Sequence, residues 1–396
     1  MRDLYSLEEN SLKVFLAGIR DEKVSFAEAE SLAKELSGLA RVLGLEVVSQ
    51  EIVSVRENHA KYGMGTGKAE ELARKAASLE ADCIIFDIDI SPSQQRNWEE
   101  LARIPVIDRQ GLIIQIFASS ARTREAVLQI SLAELVYALP RLRHKYLDLS
   151  RQRGGRYGTR GSGETRLETD RRRVEKRIRR LQEELEKLRM QRRIQRKQRE
   201  RSCVPVCALV GYTNSGKSSI LNALTGAGVL TEDRLFVTLD STSRRLKLPG
   251  GMQVLLVDTV GFIRRLPHSL VNAFRSTLEE ASCADLLLNI VDASEPGADA
   301  RSGVTLSVLR ELDAGDIPMI TVLNKIDKLE ADKTKPVEAL KKLFPGCVSV
   351  SAVNGDGLAE LCQRIESTLI HCREIRSGRR LSVTEQNKPK EYLIYE

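Results

Sequence analysis

The sequence has few aromatic residues, no closely paired cysteines and no long apolar run, and each absence excludes a class of protein. Aromatic residues make up only 4% of the chain, which argues against base stacking as its main contact with nucleic acid. The seven cysteines form no CxxC pair, so we expect reduced thiols rather than a zinc site or a disulfide framework. No apolar run approaches the ~20 residues of a membrane span, and the N-terminal residues lack a signal-like apolar core. We therefore expect a cytoplasmic protein.

The positive charge is concentrated in one segment. Of the 62 Lys+Arg and 55 Asp+Glu residues, 23 and 9 lie between positions 141 and 201, a local charge of +14, which leaves −7 for the rest of the +7 chain. A block of this kind is typical of a surface that binds a polyphosphate, most often RNA. The alternative is a solvated helix face without a partner.

At 396 residues the chain is long enough for two or three domains. In the first ~120 residues, strand-like and helix-like patterns alternate, which is typical of a parallel α/β domain. The strand-like runs cover residues 12–17, 47–55, 83–87 and 106–107, and the helical patterns cover 26–43, 69–79 and 92–101.

Two features of this predicted domain leave alternatives open. The loop at residues 63–68 (GMGTGK) is glycine-rich, but its spacing is not that of a phosphate-binding loop, so a functional loop and a nucleotide site are about equally favoured. Asp87, Asp89 and Asp108 lie near predicted strand ends. They are a minor candidate for a small-substrate active site, although carboxylates in such places are more often loop caps.

The middle of the chain predicts two helices. Apolar residues recur at helical spacing from residue 123 to 146, and Pro140 should kink or break this helix. Residues 151–163 contain five glycines and four arginines, which suits a mobile basic tip. A second helix is predicted from about Glu164, with a coiled-coil-like apolar seam. The seam residues are Val174, Ile178, Leu181, Leu185 and Leu188.

A phosphate-binding loop follows the apolar run at residues 204–210. Residues 211–218 read GYTNSGKS, in which glycines let backbone N–H groups approach phosphates at the start of a helix. Lys217 should reach the β and γ phosphates, and the Ser218 hydroxyl should coordinate Mg²⁺. Asp258, after a further apolar run, should hold the same metal through water, and the Gly261 N–H should meet the γ-phosphate.

Two later boxes make the nucleotide a guanine nucleotide. Residues 324–327 read NKID, and Asp327 can accept hydrogen bonds from guanine N1–H and its exocyclic amine. Adenine offers neither pattern, so such a site should reject it by roughly 10⁴-fold. Residues 351–353 (SAV) would supply a backbone contact to guanine O6. The expected chemistry is binding and hydrolysis of GTP.

Several details concern the hydrolysis step. Thr238 is the best candidate for the switch threonine that completes the Mg²⁺ shell. Phe262 follows the DTVG box, so no glutamine there can orient the attacking water, and unassisted hydrolysis should be slow. Asn214 could help to bind a monovalent cation such as K⁺ near the phosphates.

The predicted site residues can now be given together. Catalytic roles fall to Lys217, Thr238 and Gly261, and metal ligation to Ser218, Thr238 and, through water, Asp258. The nucleotide-binding residues are Gly211, Tyr212, Thr213, Asn214, Ser215, Gly216, Lys217, Ser218, Ser219, Phe236, Val237, Thr238, Leu239, Asp240, Asp258, Thr259, Val260, Gly261, Asn324, Lys325, Ile326, Asp327, Ser351, Ala352 and Val353.

Further stretches carry a family resemblance. They are residues 91–97 (SPSQQRN), 106–109 (VIDR), 158–173 (GTRGSGETRLETDRRR), 235–240 (LFVTLD), 258–263 (DTVGFI), 266–268 (LPH) and 275–280 (RSTLEE). With these stretches the chain resembles the HflX family of ribosome-associated GTPases from about residue 12 to 370. The resemblance implies an N-terminal α/β domain, a helical linker and a G domain. It also implies binding to the large ribosomal subunit and, in some members, splitting of stalled or stressed ribosomes.

The expected protein is thus an α/β protein with four parts. They are a parallel α/β domain (1–122), a basic coiled-coil-like helical linker (123–202), a P-loop GTPase domain with a mixed, mostly parallel sheet (203–372) and a C-terminal tail (373–396). We expect a monomeric, Mg²⁺-dependent GTPase whose GTP state controls its attachment to the large ribosomal subunit and its rRNA through residues 141–201. The alternative is a structural RNA-binding or ribosome-assembly factor in which GTP turnover is incidental.

Overall fold

The computed structural model describes residues 12–22, 24–57, 59–152, 162–201, 204–226, 236, 242–265, 280–329 and 334–386. These residues divide into two compact units, the first built from residues up to Ile194 and the second from most of the chain beyond it. Each unit contains its own sheet. The mixed α/β fold class predicted from the sequence is confirmed, whereas the four domain boundaries stay a prediction.

The first unit is a parallel sheet with helical crossovers. Its four strands lie in the order β2-β1-β3-β4, and every pairing is parallel. The core lies between strands and helices and includes Phe15, Phe86 and the single tryptophan, Trp98. The elements are β1 (Lys13–Arg20), α1 (Phe26–Val42), β2 (Glu46–Ser54), α2 (Thr66–Ser78), β3 (Cys83–Phe86), α3 (Pro92–Ala102), β4 (Val106–Asp108), α4 (Arg109–Ser120), α5 (Arg124–Gln152) and α6 (Ser162–Arg201).

Local sequence signals explain most helix starts in this unit. Helix α3 begins with a capping box, in which the Ser91 hydroxyl accepts from the Gln94 N–H and the Gln94 side chain accepts from the Ser91 N–H, and Pro92 occupies the first helical turn. Asp108 caps α4 through the Gly111 N–H. Helix α4 is absent from the sequence-based assignment because its apolar run, residues 112–117, is buried almost all round and shows no clear amphipathic period.

Helices α5 and α6 differ from expectation in two respects. Helix α5 continues through Pro140, so the predicted break does not occur. Both helices extend towards each other beyond their predicted ends, and the remaining connection, residues 153–161, lies outside the described residues. Arg192 near the end of α6 pairs with Glu125 at the start of α5, as expected for antiparallel neighbours. Of the five predicted seam residues, Leu181 and Leu185 are buried and the other three are half-buried.

The second unit is a six-stranded sheet in the order β10-β9-β8-β5-β7-β6. Only β6 runs antiparallel to its neighbour among these strands. The elements are β5 (Val206–Gly211), α7 (Lys217–Thr225), β6 (Thr242–Lys247), β7 (Gln253–Asp258), β8 (Leu286–Asp292), α8 (Ala298–Glu311), β9 (Met319–Asn324), a 3₁₀ turn (Ile326–Lys328), α9 (Thr334–Leu343), β10 (Val348–Ser349) and α10 (Leu358–Gln386).

The strand sequences explain their places in this sheet. Strands β5 and β8 are almost continuously apolar and buried, as expected for central strands covered on both faces. Strand β6 reads TSRRLK and is mostly exposed, which suits an edge and explains why an apolar-run search misses it. Helix α10 continues through residues 373–386, which the sequence analysis assigned to a tail; residues 387–396 lie outside the described part.

Candidate nucleotide site

The phosphate-binding loop connects β5 to α7 at the carboxyl edge of the sheet. Gly211 and Gly216 have positive φ angles of 148° and 90°. A Cβ at Gly211 would collide with the Ile290 carbonyl oxygen, and one at Gly216 would collide with the Asn324 side-chain amide. Both positions therefore need glycine for close packing as well as for conformation. Gly216 precedes the first residue of α7, so the backbone N–H groups at the start of that helix face the loop.

Lys217 is buried against the loop that it follows. Its ammonium donates to the carbonyl oxygens of Tyr212 at 2.8 Å and Gly211 at 3.3 Å. Burial lowers the pKa of Lys217 to about 8, and the nearby positive charge of Lys325 adds to this, whereas Asp258 opposes it. A buried cation with this depressed pKa is suited to bind a polyphosphate, whose charge would restore the ordinary pKa.

The two predicted metal ligands lie together. The Ser218 hydroxyl donates to the Asp258 carboxylate at 2.6 Å, and Asp258 is fully buried at the end of β7. Hydroxyl and carboxylate oxygens are the donor types that Mg²⁺ prefers, so this pair fits the ion. The third predicted ligand, Thr238, lies outside the described residues, as do Val237, Leu239 and Asp240. The intervening Phe236 is described, and its side chain is buried.

The residues after Asp258 run back over the phosphate-binding loop. Thr259 donates through its hydroxyl to the Leu209 carbonyl oxygen at 2.7 Å. Phe262 donates its N–H to the Gly211 oxygen at 3.0 Å, and its own carbonyl accepts from the Thr213 N–H at 2.8 Å. The Phe262 side chain is fully buried and has no polar atom, so it cannot orient a water molecule.

Asn324, from the predicted guanine-binding box, connects three loops of the site. Asn324 is buried at the end of β9; its amide nitrogen donates to the Ser215 carbonyl oxygen at 2.9 Å, and its amide oxygen accepts from the Ala352 N–H at 3.2 Å. The side chain of this one residue therefore holds the NKID box in register with the phosphate-binding loop and with residues 351–353.

Lys325 and Asp327 complete this part of the site. The Lys325 ammonium donates to the Asn214 carbonyl oxygen at 2.7 Å and pairs with Asp292 at 2.8 Å. Asp327 is exposed in the 3₁₀ turn after β9, and the Ser351 hydroxyl donates to its Oδ1 atom at 2.6 Å. This hydrogen bond orients the carboxylate that is predicted to read guanine. Within residues 351–353, Ser351 is buried and Val353 is highly exposed.

The structure thus brings the phosphate-binding loop, the DTVG box, the NKID box and residues 351–353 to one edge of the sheet. Sequence reasoning missed Asp292, which ends β8 and pairs with Lys325. Its position at the carboxyl end of a buried strand was the signal that could have identified it. Sequence reasoning also missed any role for the Tyr212 side chain.

The carboxylates of the first unit have a different surrounding. Asp87 and Asp108 are buried and pair with Arg109 at 2.6 Å and Arg141 at 2.8 Å. Asp89 is not among the ion pairs of the described residues, and burial raises its pKa. The described residues contain no group of three or more His, Cys, Asp or Glu side chains that could hold a metal ion. In the loop at residues 63–68, α2 begins at Thr66 and Lys68 pairs with Glu71.

Comparison with known proteins agrees with this geometry. Family models described as GTP-binding GTPase N-terminal, GTP-binding GTPase Middle Region and 50S ribosome-binding GTPase match residues 30–118, 120–199 and 206–325. A "GTPase HflX" of Akkermansia muciniphila is 45% identical over 374 residues, which cover 91% of this chain and 86% of that protein. The chain belongs to the HflX GTPase family.

A second curated relative gives the same result. The "GTPase HflX" of Escherichia coli (strain K12) is 41% identical over 369 residues, covering 93% of this chain and 85% of that protein. A solved structure described as "crystal structure of SsGBP and GDP complex" is 26% identical, with a TM-score of 0.48 and coverage of 91% of this chain and 99% of that one. The predictions of HflX membership and of GTPase activity are confirmed. Among the described residues, no helix combines the length and apolar character needed to cross a bilayer.

Proposed function

We propose that this HflX-family GTPase is a monomer that attaches to the large ribosomal subunit and its rRNA through residues 141–201, and that its GTP state controls this attachment. Acting in this way, it splits or rescues stalled or stressed ribosomes. The proposal is supported by the family model that matches residues 206–325 and is described as a 50S ribosome-binding GTPase. The observation that carries it is the charged surface of α6.

One stretch of α6 presents six cations to solvent. Residues 172–180 span about 12 Å of helix, and their six basic residues are all exposed. Arg172, Arg173 and Arg180 form exposed ion pairs one turn away, which are worth little. The other three, Lys176, Arg177 and Arg179, take part in no ion pair within the described part of the chain. The apolar seam of the same helix is half-buried at Val174 and Ile178 and buried at Leu181 and Leu185, whereas the cations are exposed and can contact phosphates.

Not every cation of the segment belongs to this surface. The guanidinium of Arg141 donates to the carboxylate of Asp108 and to the side-chain oxygen of Gln95. Its side chain is 16% exposed. Arg141 therefore contributes to the packing of α5 rather than to the surface proposed for rRNA.

Nucleotide binding uses the residues of the second unit. Lys217 and the backbone of the phosphate-binding loop hold the phosphates, and Asp327 with residues 351–353 holds the base. Ser218, Asp258 and Thr238 hold Mg²⁺, which supplies charge neutralisation at the phosphates. Asn214, whose backbone has a φ of 60°, offers a side-chain amide oxygen that suits a K⁺ ion beside the same phosphates. Equal hydrolysis rates in K⁺ and Na⁺ would contradict the K⁺ role.

The decisive experiment is co-sedimentation of the full-length protein with separated ribosomal subunits. We expect binding to large subunits in the presence of a non-hydrolysable GTP analogue, weaker binding with GDP, and no comparable binding to small subunits. Because phosphate contacts release counterions, log K should fall with log salt by about 0.7 to 0.9 per contact. Binding that ignores the nucleotide contradicts control by the GTP state.

A matched pair of variants tests the basic surface. The triple change Lys176→Gln, Arg177→Gln, Arg179→Gln should lower affinity for large subunits by about tenfold or more and reduce the salt slope. The control carries Lys34→Gln, Arg41→Gln and Arg74→Gln, which remove three exposed cations from the first unit. Equal loss of binding in both variants would indicate a general charge effect and not a specific surface.

Hydrolysis in the presence of subunits separates the proposal from its alternative. Because Phe262 cannot orient water, we expect a slow single-turnover rate for the protein alone and at least tenfold stimulation by large subunits, a gain of roughly 1.4 kcal/mol in transition-state stabilisation. A structural RNA-binding factor with incidental turnover predicts no stimulation. Fast hydrolysis without any partner would also contradict the need for activation.

A further inference from the structure

The Tyr212 side chain reaches from the phosphate-binding loop to the loop that follows β7. Its hydroxyl accepts a hydrogen bond from the Arg264 backbone N–H at 2.9 Å. Tyr212 is buried, and the Arg301 guanidinium lies over its ring, 5.4 Å from the centroid. We propose that Tyr212 is a positioning residue for GTP hydrolysis, which fixes residues 258–264, the G3 loop, against the phosphate-binding loop.

The hydroxyl contact extends a backbone pairing between the two loops. Tyr212 and Phe262 form an isolated parallel bridge, in which Phe262 donates to the Gly211 oxygen and accepts from the Thr213 N–H. This bridge lies just beyond the last pairing of β5 with β7. The Arg264 N–H is two residues further along, where no backbone acceptor of the described phosphate-binding loop pairs with it. The tyrosine hydroxyl serves as the acceptor there.

The G3 loop is therefore held on both sides of Gly261. Three residues before it, Asp258 is fixed by β7 and by the Ser218 hydroxyl. Three residues after it, the Arg264 N–H is fixed by Tyr212. The position of Gly261 relative to the phosphate-binding loop depends on these two attachments and on the Phe262 bridge between them. Tyr212, unlike Ser218 and Asp258, is not among the predicted metal ligands.

Gly261 lies very close to the groups that bind phosphate. A Cβ added to it would lie 2.7 Å from the Thr213 Cα and 2.9 Å from the Lys217 Nζ. A small displacement of the G3 loop would therefore change the distance between the Gly261 backbone and the Lys217 ammonium. In the proposed function, on which this inference rests, Gly261 serves the γ-phosphate and Lys217 serves the β and γ phosphates, whereas GDP has no γ-phosphate. Loosening the loop should weaken GTP binding and hydrolysis but leave GDP binding nearly unchanged.

The test uses full-length Tyr212→Phe, which keeps the ring and its packing against Arg301 but removes the acceptor oxygen. Loss of one hydrogen bond should weaken binding of a non-hydrolysable GTP analogue about threefold to tenfold. GDP affinity should stay within about twofold, and the single-turnover rate should fall by at least as much as analogue affinity. Calorimetry and quenched-flow measurements give these values. The control is Tyr62→Phe, which removes a tyrosine hydroxyl from the buried core of the first unit.

Two outcomes would overturn the proposal. The first is that Tyr212→Phe leaves the ratio of GTP-analogue affinity to GDP affinity unchanged or raises it. Either result means that the Tyr212 hydroxyl does not position the G3 loop for the γ-phosphate. Hydrogen exchange supplies an independent readout, because the amide of Arg264 should exchange faster in Tyr212→Phe than in the parent or in Tyr62→Phe. The second contradicting outcome is an unchanged exchange rate at the Arg264 amide, which would mean that the Tyr212 hydroxyl does not hold this N–H.

Discussion

Each unit places polar residues at the carboxyl ends of parallel strands, but the two sets have opposite surroundings. In the first unit, Arg109 is buried between Glu35 and Asp87, and Asp108 accepts from Arg141 and from the Tyr137 hydroxyl. In the second unit, the Lys217 ammonium donates to the backbone carbonyl oxygens of Tyr212 and Gly211, and Asp327 remains exposed. The strand ends of a parallel sheet offer a place for a site. Whether a ligand can use it depends on whether neighbouring side chains already satisfy the charges.

The pKa shifts express the same contrast. Burial alone would lower the pKa of Arg109, but Glu35 and Asp87 reverse this effect and hold it above its usual value. The pKa of Lys217 is instead lowered, with burial as the main cause. Arg109 has the carboxylates of Glu35 and Asp87 as counter-charges. Lys217 donates to backbone carbonyl oxygens, and a bound polyphosphate would supply its counter-charge. The four predictions below test this difference.

The largest effect is expected from Asp327→Asn. The amide replaces one acceptor with a donor, so guanine N1–H and amine would face a mismatched group, and GDP affinity should fall by about 10³-fold or more. Xanthine has a carbonyl in place of the amine, so XDP should bind the variant better than GDP does. Calorimetry with both nucleotides measures this change. The exposed carboxylate of Asp316 provides the control Asp316→Asn, and near-normal GDP affinity in Asp327→Asn would contradict the assignment.

The next effect is on stability and concerns the first unit. Arg109→Met leaves Glu35 buried without its cation and leaves Asp87 with Arg265 as its remaining ion-pair partner. This change should cost about 3 to 5 kcal/mol of unfolding free energy. The fluorescence of the only tryptophan, Trp98, which is buried in this unit, follows its denaturation by urea. GDP affinity should not change. The control is Arg74→Met, which changes an exposed arginine. If Arg109→Met lowers the unfolding free energy by less than about 1 kcal/mol, the buried carboxylates do not need Arg109 to neutralise them.

A smaller effect is the pH dependence of nucleotide binding. The Lys217 ammonium is intact below its pKa of about 8, and bound phosphates raise that pKa. Binding therefore takes up a proton above pH 8, and GDP affinity should be constant near pH 7 and about tenfold weaker at pH 9. Fluorescence titrations across this range measure the decline. Lys217→Met should bind more weakly with little pH dependence, and a flat profile for the parent would show that Lys217 keeps its charge without phosphate.

The smallest effect is expected from Ser351→Ala. This change removes the hydroxyl that orients Asp327 but keeps the carboxylate, so GDP affinity should fall about threefold to tenfold. Ser349 is a matched control, because its buried hydroxyl has no hydrogen-bond partner among the described residues. Ser349→Ala should bind GDP normally. If the two variants bind equally well, the orientation of Asp327 does not depend on Ser351.

Much of the second unit could be predicted because its signals are local. Each signal is a short run of residues, either glycines at fixed spacing followed by a lysine and a hydroxyl at the start of a helix, or an aspartate at or just after the end of an apolar strand. The misses have physical reasons. Strand β6 is a polar edge, helix α4 is buried almost all round, and α5 continues through Pro140 because its length and packing outweigh one missing hydrogen bond.

The sequence by itself determined that the chain binds a guanine nucleotide, which four boxes indicate, and that it carries a helix with an apolar seam and a strongly basic surface. These conclusions depend on residue type and on spacing along a strand or helix. The regular backbone geometry of these elements fixes where residues at a given spacing lie. Tertiary structure decided which charges remain available. Asp87, Asp108 and Arg141 form internal ion pairs, and the Tyr212 hydroxyl contacts Arg264. The sequence does not reveal these contacts, because they join residues far apart in the chain and depend on which side chains fill the space between them.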